Sequence, residues 1–377
     1  MDTECGNPVW PCAMAGAAAC LSGFDGLGVI LHGSSGCYYF TRSLVQAPLY
    51  CTYLGGEEAI FGTEERLRAT INALKGRYEM IAVLLMCVPS IIGEDCRETL
   101  PCSDVIWVDV PGYAGQLEEG YASALEALAP RVGEGVSGVN IDGIAGTDRF
   151  SRGNAREAER LLRKAGLSVA TRFCDTTLHA AYHAGAVTVE TNPDIQSGVG
   201  TSAGSLLGLE NLKATMRHLE SCCSTADIDP VLREIEATEE AVVRACDRFL
   251  QHNDPPATAI FSTASYAHFM AGLLATYLDA DIVAVGTRNE PGFPMAFGRR
   301  AASLDTIGAM IEESSPALLI GSSYEHALAP GIPFVGMTYP LRGQYMLQHR
   351  ALAGTEGVLG IMEAVLNAAG GRSCHRI

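Results

Sequence analysis

The stretch from Gly28 to Phe40, Gly-Val-Ile-Leu-His-Gly-Ser-Ser-Gly-Cys-Tyr-Tyr-Phe, constrains the fold more than any other. Its apolar run Val29-Ile30-Leu31 reads as a strand buried on both faces, as in a parallel sheet covered by helices. The run stops at His32 and breaks into a turn where Gly33 and Gly36 supply backbone freedom. Open α/β sheets place ligands at the carboxyl ends of their strands, so Cys37 stands where chemistry is expected. Two further cysteines are similarly punctuated: Cys12 in Pro11-Cys-Ala-Met-Ala-Gly16, and Cys87 after the strand Met80-Ile-Ala-Val-Leu-Leu-Met86. All three are expected at strand ends or loops, outside any helical stripe. A free cysteine is ordinarily a small core hydrophobe; three at turn positions favour a chemical role instead.

Alternating elements continue along the chain. Strands are expected at 29–31, 49–54, 81–86 and 105–110, with an amphipathic helix from Glu64 to Leu74 whose Leu67, Ile71 and Leu74 share one face. Gly138-Val-Asn-Ile-Asp-Gly-Ile-Ala-Gly146 reads as a strand ending in a tight turn. It lacks the Gly-x-Gly-x-x-Gly spacing of a dinucleotide site. A helix from Ala155 to Ala165, strands at 167–172 and 186–190, and a long helical region from Glu210 to Gln251 follow. Cys222 and Cys223 fall in that region on different helix faces and read as structural. After Asp254-Pro-Pro256, strands at 259–262, 282–286, 317–320 and 334–337 alternate with helices at 267–277, 304–313 and 355–366. The expected fold class is therefore α/β with parallel sheets, in modules 1–134, 135–254 and 255–377.

Charge and cysteine usage exclude several functions. A net charge of −17 would repel nucleic acid and anionic membrane surfaces alike. No apolar segment has the length of a transmembrane helix and no secretion signal opens the sequence, so the cytoplasm is expected. The 13 cysteines then read as reduced thiols, some of them metal ligands. No Gly-x-x-x-x-Gly-Lys-Ser/Thr occurs, so ATP hydrolysis would belong to a partner.

Four pieces together resemble the nitrogenase component 1 family: Cys12-Ala-Met-Ala-Gly16, His32-Gly-Ser-Ser-Gly-Cys37, the segment Gly55-Gly-Glu-Glu-Ala-Ile-Phe-Gly-Thr-Glu-Glu-Arg-Leu67, and Cys87-Val-Pro-Ser-Ile-Ile-Gly-Glu-Asp95. Pro316–Tyr324, Ile332–Pro340 and Gly354 extend the likeness to the end of the chain. The family includes the molybdenum-iron protein subunits, their cofactor-assembly scaffold, and the catalytic subunits of protochlorophyllide reductase and nickel-sirohydrochlorin reductive cyclase. The resemblance implies three Rossmann-like domains and an iron-sulfur cluster, 4Fe–4S or larger and similar to the nitrogenase P-cluster, held by Cys12, Cys37 and Cys87 at a subunit interface. Cys20, Cys51, Cys96 and Cys102 lie in the same segment as reserve ligands, Cys96 first.

The resemblance further implies a separate iron-sulfur ATPase, similar to nitrogenase reductase, as electron donor, and either a homodimer or a heterotetramer with a paralogous subunit. It also marks a departure. Thr191 stands where the molybdenum-iron protein has a cofactor-binding cysteine, and Gln348 or His349 falls near its cofactor histidine. Dinitrogen reduction is therefore not expected, and His349 is the candidate catalytic residue. The function implied is an oxidoreductase that reduces a small molecule bound between domains, with tetrapyrroles the substrate class the family offers. A cluster-assembly scaffold without turnover is the alternative, and a metabolite-binding Rossmann protein with incidental cysteines is the third.

Overall fold

In the computed structural model, residues 9–94, 96–99, 104–290 and 298–371 are described. The reserve ligand Cys102 lies outside them. The chain divides into two compact units, one of Met1–Thr147, Ala170–Ala186 and Ile195–Gly200, the other of Asp148–Val169, Val187–Asp194 and Thr201–Ile377.

The first unit is built on a four-stranded parallel sheet. Its strands are β1 (Leu27–His32), β2 (Tyr50–Cys51), β3 (Met80–Leu85) and β4 (Val105–Asp109), in the spatial order β2-β1-β3-β4. Strand β1 is buried throughout, as its unbroken apolar run requires. Helices α1 (Ala13–Leu21), α2 (Ser35–Leu44), α3 (Gly56–Phe61), α4 (Glu64–Leu74), α5 (Cys87–Ile92) and α6 (Leu117–Leu128) accompany the sheet. Helix α4 buries Leu67, Ile71 and Leu74, as its periodicity predicts, in one core cluster with Ile30, Ile81 and Val83. Helix α1 was not legible: all nine of its residues are buried, so no polar face marks a period. It packs on α6 through glycines. A Cβ at Gly16 would fall 1.9 Å from the Leu117 carbonyl oxygen, and one at Gly120 would fall 1.7 Å from that of Ala13.

The second unit holds a five-stranded parallel sheet in the order Arg299–Arg300, Ile282–Thr287, Thr258–Ser262, Leu318–Gly321, Phe334–Gly336. Within it Arg160 binds Glu157, Glu234 and Thr355, tying the helices Ser151–Lys164, Asp229–Leu250 and Gly354–Gly370 together. The expected long helical region is two helices, Leu209–Cys222 and Asp229–Leu250. Cys223 is extended and so lies past the end of the first helix. The second opens with Pro230, which supplies no N–H and belongs in a first turn. Thr201–Ser205, glycine- and serine-rich, is a strand paired in parallel with Val187–Glu190. Among the described residues no helix is long and apolar enough to cross a membrane.

Candidate metal-cluster site

The carboxyl edge of the first sheet gathers the three cysteines. Strand β1 ends at His32, Gly33 follows, and Ser34 N-caps α2, which places Cys37 in the first turn of that helix. A Cβ on Gly33 would come within 2.8 Å of Met86 Cβ and Sδ, so glycine is required where the chain leaves the paired ends of β1 and β3. Gly36 is different: it lies inside α2 facing open space and relieves no contact. Strand β3 ends at Leu85, Met86 N-caps α5, and Cys87 is the first residue of that helix. Cys12 N-caps α1, held by a bridge to Gln116 and by the Ala13 N–H donating to the Gly115 carbonyl at 3.0 Å. The expectation that all three lie at strand ends or loops is corrected for Cys37 and Cys87, which sit in the first turns of α2 and α5; α5 is only six residues long, and Gly33 and Gly36 make the start of α2 read as a turn.

A helix start suits a thiolate, because unpaired N–H groups and the positive end of the helix dipole favour negative charge there. Cys12 shows the balance. Burial pushes its thiol upward, the N–H groups of Ala15 and Met14 pull it back, and the charges of Cys87 and Cys37 raise it again. The Cys12 sulfur is thus near enough to feel the charge of each of the other two. The turn after β4 completes the set. The Gly112 N–H donates to Cys87 Sγ at 3.0 Å, and a Cβ at Gly112 would lie 3.3 Å from Cys12 Sγ and 3.4 Å from Cys87 Sγ. Gly112 therefore keeps open the space beside two thiols. Among the described residues no three Cys, His, Asp or Glu side chains converge on a point where a single metal ion would fit.

The family model for nitrogenase component 1 type oxidoreductases matches residues 12–369. The chain belongs to that family.

Among its relatives within the nitrogenase component 1 family is the nitrogenase molybdenum-iron protein beta chain of Methanococcus maripaludis, 22% identical over 439 residues and covering 96% of this chain and 93% of that one. The nitrogenase iron-molybdenum cofactor biosynthesis protein NifE of Clostridium pasteurianum is 26% identical over 180 residues, 43% of this chain and 40% of that one. The solved structure "Nitrogenase Cp1 at pH 6.5" has the same fold, with a TM-score of 0.82 at 15% identity over 98% of this chain and 94% of that one.

The reserve thiols separate by surroundings. Cys51 is buried at the end of β2, where the Tyr53 N–H donates to its sulfur at 3.2 Å and the charge of Cys37 reaches it. Cys96 is a core thiol instead, fully buried, 3.6 Å from His32 Nε2 and 3.8 Å from Thr63 Oγ1. Cys20 lies against Cys174 at 3.4 Å.

His32 organises the end of β1, and of the cysteines it is Cys96 that lies against its ring. Thr52 Oγ1 accepts the Gly33 N–H and lies 3.1 Å from His32 Nδ1. Thr63 Oγ1 donates to Glu94 and lies 2.8 Å from His32 Nε2. With the Thr63 proton committed to Glu94, Nε2 carries the imidazole proton and Nδ1 accepts from Thr52. Burial lowers the imidazole to about 4, the Glu94 charge opposing.

His349 belongs to the second unit, whereas Cys12, Cys37 and Cys87 belong to the first. It is exposed in an irregular stretch and lines an open groove of about 690 Å³ with Phe150, Gln344, Tyr345, Gln348 and Arg350. Thr191 is fully buried, with no exposed hydroxyl to offer a ligand. Sequence reasoning missed Gly112, although Pro111-Gly112 directly after a strand carries the same signature that singled out Gly33.

Proposed function

We propose that this protein is a nitrogenase-like reductase subunit in which Cys12, Cys37 and Cys87 hold an iron-sulfur cluster. The observation that carries this is the placement of Cys12, Cys37 and Cys87 at helix starts along one sheet edge, with Gly112 leaving the sulfurs of Cys12 and Cys87 uncrowded. Thiolates are the ligands such clusters take, and three from one chain leave iron to be completed by another ligand or chain. A bound cluster would supply one-electron storage and relay. This chain's residues would hold the sulfurs, with the N–H groups of Ala15 and Met14 offsetting part of the burial of the Cys12 thiol and the Gly112 N–H donating a hydrogen bond to Cys87.

The rim of the site points to how it is covered. Tyr39 and Phe40 on α2, Tyr53 after β2, Phe61 on α3, Ile91 on α5 and Tyr113 beside Gly112 are all exposed, Phe61 by 83% and Ile91 by 72%. Large exposed apolar side chains on the cysteine-bearing helices α2 and α5, on α3 and on the turns after β2 and β4 support an interaction surface there. A second subunit, identical or paralogous, would bury them and shield the thiols from water and oxygen. Electrons would arrive from a separate ATP-hydrolysing iron-sulfur protein, and the reduced molecule would be a small compound of the tetrapyrrole class, with His349 the candidate proton donor in its groove.

The likeness to NifE supports the second reading, an assembly scaffold that builds a metal cluster and passes it on. The experiment is turnover by the purified protein with the iron-sulfur ATPase encoded nearest to its gene. A reductase bleaches and recovers cluster absorbance when tetrapyrrole substrates and ATP are added. A scaffold instead loses iron to an acceptor protein and reduces nothing. Equal rates with a small-molecule donor in the absence of partner and ATP would contradict the proposed electron route.

A further inference from the structure

Cys20 and Cys174 are 154 residues apart in sequence, and their sulfurs are 3.4 Å apart. Cys20 is the penultimate residue of α1, fully buried; Cys174 occupies the turn between Val169–Arg172 and Thr176–Thr177 and is 5% exposed. Backbone contacts hold the two segments together independently of the sulfurs. Phe24 and Asp25 pair in parallel with Thr176 and Thr177, the Thr176 N–H donates to the Gly23 carbonyl at 3.1 Å, and a Cβ at Gly23 would fall 1.9 Å from the Cys174 carbonyl oxygen. The Tyr121 hydroxyl lies 2.9 Å from Cys174 Sγ and donates to the Ile144 carbonyl at 2.9 Å.

We infer that Cys20 and Cys174 are a dithiol modification site, converted to a reversible disulfide by a small peroxide. The sulfurs need to close by only about 1.4 Å to reach bonding distance, roughly 2.05 Å. The frame of strand pairs and backbone contacts fixes both residues before the bond exists, so little chain entropy remains to be lost on closure. Cys174 reacts first because it is the less buried of the two and sits in a turn of left-handed backbone, φ +61°, which relaxes on local opening. Its sulfur attacks one peroxide oxygen, the O–O bond breaks, and the other oxygen leaves as water with the thiol proton, giving the Cys174 sulfenic acid. The Cys20 sulfur then attacks Cys174 Sγ, the S–S bond forms, the S–O bond breaks, and a second water carries off the hydroxyl and the Cys20 proton. Two thiols are oxidised and one peroxide is reduced. Cys12 caps the other end of α1, so the bond would anchor the helix that carries a proposed cluster ligand.

The test is a thiol map of the full-length protein purified without oxygen. It is exposed to about one equivalent of hydrogen peroxide, quenched with catalase, denatured in N-ethylmaleimide, digested and analysed by mass spectrometry. The expected result is a linked Cys20–Cys174 peptide, two hydrogens lighter than the separate thiols, as the principal disulfide. Dithiothreitol should abolish it. In C20A, Cys174 should instead be trapped as the sulfenic acid by dimedone. Recovery of both residues as maleimide-labelled thiols after other cysteines have been oxidised, or a principal disulfide joining a different pair, overturns the inference. The wild-type map alone decides it, whether or not the variant folds.

Discussion

Gly112 and Cys87 show how narrowly the site depends on single atoms. Alanine at 112 would put a methyl carbon 3.3 Å and 3.4 Å from two sulfurs, tighter than such contacts normally run, while leaving the backbone N–H in place. G112A should therefore fold with unchanged circular dichroism and lose at least half of the bound iron during anaerobic gel filtration; undiminished iron would show that the space beside the thiols is not used. Iron loading should also depend on pH. The Cys12 thiol sits above its ordinary value, so ligation releases a proton, and reconstitution should be faster at pH 8.5 than at pH 7. His32 makes a stability prediction. Its imidazole, held near 4 when folded, returns to roughly 6.5 when unfolded. Between those values the unfolded chain binds a proton that the folded chain does not, so stability falls as pH falls. From pH 6.5 to 5 the loss should be about 1.6 kcal/mol, measured by urea unfolding, and H32N should lower stability overall yet flatten that slope. The candidate ligands were legible because their local text is distinctive. Gly112, the environment of Cys51 and the Cys20–Cys174 pair were not, since each depends on contacts between segments far apart in sequence.

Helices and strands were legible where polarity alternates with a period. Helix α4 begins and ends where its Leu67, Ile71 and Leu74 stripe requires, and the strand around Val29 is longer than expected by two residues at its start and one at its end. Where burial is complete or an element is short, the pattern vanishes. Helix α1, Ala-Met-Ala-Gly-Ala-Ala-Ala-Cys-Leu, has no exposed residue, and its helical signal lies in small side chains that let α6 approach. The expected strand at 49–54 shrinks to Tyr50–Cys51, because Tyr53 turns left-handed at φ +53°. The close α1–α6 contact predicts a large effect from a small change. Valine at Gly120 would drive its side chain into the Ala13 carbonyl, 1.7 Å from the new Cβ, and should cost about 3 kcal/mol or more. Thermal melting of G120V measures it, and iron content should fall in parallel because Cys12 caps α1. An unchanged melting temperature would mean the two helices are not packed backbone to backbone.

At the scale of the molecule, the α/β class was legible because strands and helices alternate along the chain, and the family likeness because the stretches Cys12–Gly16, His32–Cys37, Gly55–Leu67 and Cys87–Asp95 together resemble that family's text. The three modules expected from composition breaks remain a proposal beside the two compact units the chain forms. The exposed apolar side chains around the site support the proposed assembly. Sedimentation velocity without oxygen should show a dimer, and charge placed at Phe61 or Ile91 should shift it toward monomer; a strictly monomeric protein that retains its cluster would contradict the shared-interface account. The central claim is that Cys12, Cys37 and Cys87 hold an iron-sulfur cluster, and iron with acid-labile sulfide analysis of the protein purified without oxygen, iron supplied, tests it most directly. The account predicts a brown wild type with about four or more irons per dimer, and a C37A variant that folds but has lost most of that iron. A colourless, iron-free wild type under those conditions would contradict it.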